Sequence, residues 1–280
     1  MRINGPIAGL LAGVMSAALN SAAAGRPQDC SDLTPPGDST AAIRCVQPLA
    51  QAGDAKAELL LGERYNIVNE ATYDAEKSAS WLTKAAEHGE IAAQVMVGDL
   101  YREGNGVPKD LTEAMRWYRA AADRGDQRAQ FFMGMMYLKG WGTPKDMVQA
   151  INWERKAADQ HGPLGTTAEA SIAGIYLEGD GVPKDYAEAA RWFRRAAEHG
   201  DPSAYFSLAQ MDEKGLGGPP DLIEAYVGYS IALAWLQDQH VSDQVTGMVT
   251  EHRDIVAARL TDAQRTKATR LVREHTVGAH

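Results

Sequence analysis

Thiols, positive charge and long apolar runs are all scarce in this chain, and each shortage removes a class of protein. Two cysteines among 280 residues cannot build a disulfide scaffold or a thiolate zinc site, though they can close one bridge. Lysine and arginine number 28 against 37 aspartates and glutamates, a net charge of −9. The broad basic surface that a phosphate backbone needs is therefore missing, and no nucleic-acid partner is expected. Beyond the first two dozen residues no apolar stretch approaches the roughly 20 residues of a membrane-spanning helix. A hydrophobic content of 45% still suffices for a substantial core, which excludes a disordered or fibrous chain.

The start of the chain has a different character. Arg2 is followed by an apolar run from Ile7 to Leu19 and by the small residues Ser21-Ala22-Ala23-Ala24 before Gly25. That order predicts a secretory signal peptide over residues 1–24, and with it a periplasmic or secreted mature protein. In an oxidising compartment Cys30 and Cys45 are expected to form a structural disulfide, closing a loop worth roughly 3 kcal/mol by chain entropy. The bridge would sit in a capping segment spanning 25–51. Pro27-Gln28-Asp29 ahead of Cys30 is no lipobox, so a lipid anchor there is not expected.

The rest of the chain repeats itself. Trp81, Trp117, Trp153 and Trp192 recur at steps of 36, 36 and 39, and Tyr65, Tyr101, Tyr137 and Tyr176 keep the same steps. A single three-residue insertion within 161–166 accounts for the longer step. A fifth copy places Asp212 in the tyrosine column and Gly228 in the tryptophan column. In the second copy the apolar residues Ala93, Val97, Gly98 and Tyr101, at helical spacing, precede a Gly-x-Gly-Val-Pro-Lys-Asp break. A second helical pattern follows, marked by Ala114, Trp117, Tyr118 and Ala121. Asp110, Asp146, Asp185 and Asp221, each three residues before Glu or Gln, read as N-caps. Gly89, Gly125, Gly162 and Gly200 read as C-caps. Units of about 36 residues cannot bury two apolar faces alone, so the hairpins must stack. The expected fold is all-α: a right-handed α-solenoid of about five hairpins (52–89, 90–125, 126–162, 166–200 and 201–234). Capping helices and a tail follow over 235–280, with Thr261-Asp262-Ala263-Gln264 opening the last helix.

These motifs resemble the Sel-1-like repeat family, relatives of the tetratricopeptide repeat. The family pattern is matched almost completely from Ala93 to Gly125 and nearly as well from Ala170 to Gly200. The third copy departs at Trp141 and Thr143, the first lacks the Gly-x-Gly-Val-Pro loop, and the fifth has lost its aromatics. The resemblance implies a non-catalytic adaptor that binds another protein or peptide, with envelope signalling and exopolysaccharide regulation among the roles associated with exported members. Some cysteine-rich relatives are linked to β-lactam hydrolysis. They carry paired cysteines in successive repeats, and this chain does not. A negative regulator that holds the periplasmic domain of a sensor kinase is a further alternative.

No catalytic, cofactor or metal constellation is visible. His88, His161 and His199 precede the C-cap glycines, where a cation favours the helix dipole; neighbouring repeats should hold them too far apart to share zinc. His240, His252 and His275 read as surface residues. The Gly-x-Gly loops lead into Pro-Lys-Asp, whose aspartate would repel an anion. What remains is surface. By analogy with tetratricopeptide repeats, the first helix of each hairpin lines a concave face at Val95, Asp99 and Arg102, then Phe131, Met135 and Leu138. Ala170, Gly174 and Leu177 continue that face, followed by Phe206, Gln210 and Glu213. The third copy is apolar there and the fourth small, which suggests a hydrophobic trough or, equally, packing against the next hairpin. Trp141 either projects from its loop as an interface anchor or folds over the hairpin below it.

Overall fold

A computed structural model describes residues 39–68, 70–238 and 242–277. Among them lie thirteen α-helices and no strand. They are α1 (Ser39–Gln51), α2 (Ala55–Tyr65), α3 (Ala75–Glu87), α4 (Ile91–Glu103), α5 (Leu111–Ala122), α6 (Gln127–Lys139) and α7 (Met147–Ala158). Then come α8 (Gly162–Glu178), α9 (Tyr186–Glu198), α10 (Pro202–Lys214), α11 (Leu222–Asp238), α12 (Asp243–Arg259) and α13 (Asp262–Val277). The fold is an all-α helical repeat, with first helices α2, α4, α6, α8 and α10 and second helices α3, α5, α7, α9 and α11. The expected signal segment and Cys30 lie outside the described residues; Cys45 is half-buried on α1 beside Val46 and Leu49.

The chain divides into two compact units, one ending at Asp110 and one beginning at Leu111. In the first, Ile43, Val46 and Ala50 of α1 pack with Ala57 and Leu61 of α2, and Trp81 closes over them. In the second, a continuous core runs from Met147 and Ile151 through Ile172 and Ala173 to Trp192, Phe193 and Met211. It is succeeded by a cluster of Ala209, Ala225 and Tyr229 with Val249 and Val256 of α12. Leu260 and Ala268 then pack on Val227.

The aspartate caps act as their spacing requires. Asp146 accepts from the Gln149 amide at 3.0 Å, and Asp185 from Ala187 and Glu188 at 3.0 Å each. Glu188 pairs with Arg191 at 2.7 Å. The reciprocal capping box appears at α13, where the Thr261 amide donates to Gln264 Oε1 at 2.9 Å and the Gln264 amide to Thr261 Oγ1 at 3.3 Å. In each Gly-x-Gly loop the first glycine is a left-handed cap, and the second explains the pairing. A Cβ on Gly106 would collide with the Ala75 carbonyl, and one on Gly142 with that of Leu111. The loop thus seats on the start of the preceding repeat's second helix, and only a bare backbone fits there.

One register reading needs correction. Thirty-six residues after Gly125 comes His161, not Gly162, and His161 has φ 57°, the one left-handed non-glycine among the described residues. The insertion adds a turn to the front of α8 rather than a loop, and His161 is forced into the glycine's conformation.

Candidate functional site

The first helices carry their chemistry on two faces. Toward the ends of the hairpins, one column of first helices faces one column at the ends of second helices, 30 positions apart. Buried Glu58 meets His88 Nδ1 at 2.6 Å, Gln130 Oε1 accepts from Gln160 Nε2 at 2.7 Å, and buried Glu169 meets His199 Nδ1 at 2.9 Å. Arg195 Nε adds a 2.6 Å contact to Glu169. In the same column Gln94 donates to the Ala86 carbonyl at 3.2 Å, and Gln130 to that of Ala122 at 3.3 Å. These residues satisfy buried groups at helix ends, where an unpaired donor or acceptor would cost about 1–3 kcal/mol. The histidines therefore answer to buried carboxylates, beyond the helix dipole. Sequence reasoning missed this column, though its constant spacing of 30 was present to be read.

His161 and His199 also come closer than stacking distances suggested, with ring centroids 5.2 Å apart. Among the described residues no group of three or more His, Cys, Asp or Glu could hold a metal ion. His252 is not a plain surface residue either. Its ring lies 5.5 Å from Tyr229 and 5.9 Å from Phe206.

Glu154 is the most unusual side chain in the interior. Its register position holds Leu82, Tyr118, Phe193 and Tyr229 in the other copies, yet it is a fully buried carboxyl. One oxygen accepts from Ser171 Oγ at 2.7 Å; the other has no partner among the described residues. In the preceding interface the same two positions hold Tyr118 and Phe132, stacked at 4.9 Å. A Glu–Ser pair has replaced an aromatic pair. Gly134 makes room, since a Cβ there would overlap Glu154 Cγ. Burial pushes the Glu154 carboxyl up to about 7, against a smaller lowering by Ser171.

The expected binding face has mixed fates. Val95 is 4% exposed, part of the interior rather than a groove residue, because its helical position turns it onto the core. Asp99 and Arg102 are half-buried and pair at 3.2 Å, with Arg102 also reaching Glu103. In the second unit Phe131, Met135 and Leu138 are half-buried, and Phe131, Leu138, Ala170 and Leu177 rest against its core. Gly174 opens outward, with nothing within 4 Å of a Cβ built on it. Leu177 and Gln210 share a cleft of about 240 Å³, and Ala170 lines a wider one of about 850 Å³ with His199, Ser203 and Trp235. Phe206 is half-buried, with the rings of Tyr229 and of His252 on α12 at 5.5 and 5.9 Å. Glu213 is engaged by the Tyr229 hydroxyl at 2.7 Å and by Arg259 at 3.7 Å. The loop residue Trp141 is half-buried, and its backbone N–H donates to the Met136 carbonyl at 2.9 Å.

This is the architecture of a helical-hairpin repeat protein in which first and second helices both contribute to the core. The family model of the Sel1 repeat matches residues 55–90, 91–126, 127–161, 167–201 and 202–227. The chain belongs to the Sel1 repeat family. Among solved structures it resembles a protective antigen of uropathogenic Escherichia coli strains displaying an SLR fold (27% identity, TM-score 0.71). That alignment takes in 93% of this chain and 56% of the antigen; the chain thus spans little more than half of that relative's length. A Sel1 repeat protein from Oxalobacter formigenes is 30% identical, with a TM-score of 0.58, over 79% of this chain and 81% of its own. No curated protein matches the chain. Sel1 repeat proteins are generally protein-interaction scaffolds.

Proposed function

We propose that this protein is a non-catalytic scaffold, exported to the periplasm, that binds a segment of another polypeptide on the first helices of its third and fourth repeats. The observation that carries the reading is the half-buried apolar row Phe131, Met135 and Leu138 beside the open position of Gly174. A helix face that is apolar, partly exposed and indented accepts an apolar anchor from a peptide. No described helix is long and apolar enough to cross a membrane. Roles in envelope signalling or exopolysaccharide regulation fit such a scaffold and follow from the resemblance.

The test uses two variants. Phe131→Asp with Met135→Asp places charge on the apolar row, and circular dichroism reports whether the helices survive. Gly174→Leu fills the indentation where nothing stands in the way, and removes a glycine from a helix. Loss of partner crosslinking in intact cells for Gly174→Leu, at unchanged helicity, is the expected result. Unchanged crosslinking in both folded variants rejects this face as the binding surface.

A further inference from the structure

The repeat grammar breaks at one place in a way that leaves a shaped space. Two residues after the tryptophans of the second, third and fourth copies stand Arg119, Arg155 and Arg194. Arg119 donates to the Tyr137 hydroxyl at 2.6 Å, and its guanidinium lies 5.5 Å over the ring of Trp153. Arg155 does the same one repeat later, donating to the Tyr176 hydroxyl at 3.1 Å and standing 5.6 Å over Trp192. Both arginines are half-buried between the tyrosine and the tryptophan of the next hairpin. For Arg194 the tyrosine position is Asp212 and the tryptophan position is Gly228, and Arg194 is exposed. The rings that should cover it are gone.

A cavity of about 430 Å³ lies where they are missing, lined by Arg194, Tyr205, Ala209, Asp212, Val227 and Ile231, with Gly228 in its wall. That volume is in the range of small-molecule sites. The chain cannot supply the ring itself: a Cβ on Gly228 would stand 2.9 Å from the Tyr205 carbonyl and 3.0 Å from Ala209 Cβ. The close approach of α10 and α11 excludes any side chain at that position. The C-terminal helix α13 contributes only His275 to the lining, and His275 Nδ1 is engaged by its own Leu271 carbonyl at 2.9 Å.

We propose that this cavity binds an indole-like group from outside the chain, its flat ring against the Arg194 guanidinium and its N–H donating to the Asp212 carboxylate. Arginine over an indole is the contact made twice in the preceding repeats, and ring faces attract guanidinium groups within about 6 Å. The choice of a donor rests on the acceptors present. Asp212 is half-buried, and burial, Asp221 and Glu224 together push its carboxyl up to about 6 against the lowering by Arg194. A carboxylate in such surroundings gains from an N–H donor. The ring can come from a free indole or from the tryptophan of a partner polypeptide, and neither source depends on the trough of the third and fourth repeats.

The probe is 5-fluoroindole, titrated into the full chain and followed by ¹⁹F NMR, with 5-fluorobenzofuran as the ring lacking the N–H. Saturable binding with a preference of about tenfold for the indole is expected. Arg194→Ala should weaken both ligands, whereas Asp212→Leu should abolish the preference and leave benzofuran binding intact. Circular dichroism confirms that each variant is folded. A second arm compares N-acetyl-tryptophanamide and a tryptophan-containing peptide with 5-fluoroindole. Peptide binding at least as tight as the free ring identifies a polypeptide source, exclusion of the peptide identifies a small molecule, and both support the site. Binding that does not saturate, or that neither substitution changes, overturns the proposal.

Discussion

Replacing Glu154 by glutamine tests how the third interface is held together, because the two side chains differ in little but the ability to ionise. Glu154 is fully buried and its carboxyl is raised from 4.5 to about 7 by that burial. The folded protein therefore keeps this proton to a higher pH than the unfolded chain does. The associated stability is complete below the ordinary carboxylate range and is lost as pH climbs toward 7. A displacement of that size is worth about 3 kcal/mol. Glu154→Gln, which stays neutral throughout, should match the wild type within about 1 kcal/mol at pH 4.5 and exceed it by about 3 kcal/mol at pH 8. In a domain of this size that is a melting difference of roughly 6–12 °C at the higher pH. Thermal unfolding of both proteins from pH 4.5 to 8 measures it, and subtracting one curve from the other isolates the contribution of this one carboxyl. If the two proteins lose stability in parallel as pH rises, the carboxyl is not the buried, proton-holding group described here.

Two further outcomes are expected from the backbone. His161→Gly should raise stability by about 0.5–1 kcal/mol, since φ 57° is a conformation glycine adopts freely, and urea unfolding reads the change. Gly142→Ala should cost at least about 1 kcal/mol more than Gly200→Ala. Both glycines have left-handed φ, but a Cβ at 142 meets the Leu111 carbonyl and one at 200 meets nothing. Equal losses in the two alanine variants would remove the loop-on-helix contact from the account.

The helices were legible because the tryptophan and tyrosine columns keep a strict register and the aspartate caps recur at fixed offsets. Their boundaries followed from the Gly-x-Gly loops. The register confines the insertion to 161–166, but nothing in the local sequence distinguishes an added helical turn from an added loop. His161 was misassigned for the same reason. The buried column of Glu58, Gln130 and Glu169 escaped because polar residues at helical spacing read as solvated until a partner 30 positions away is considered. Val95 lies in the interior and Phe206 has an unforeseen neighbour, for different reasons. The first depends on how far its helix is rotated onto the core. The second is flanked by α12, a helix of weak amphipathic pattern that sequence reasoning did not delineate. Glu154 at an otherwise apolar register was visible in the alignment of the copies, but only the packing shows that it is sealed in.

The claim on which the functional account rests is that the first helices of the third and fourth repeats face a polypeptide partner. A photo-crosslinking residue placed at Gly174, where a side chain has open space, should capture a single discrete polypeptide in intact cells. The same residue at Asn152, exposed on second helix α7, should capture none. Identical adducts from both positions, or none from Gly174, would contradict it.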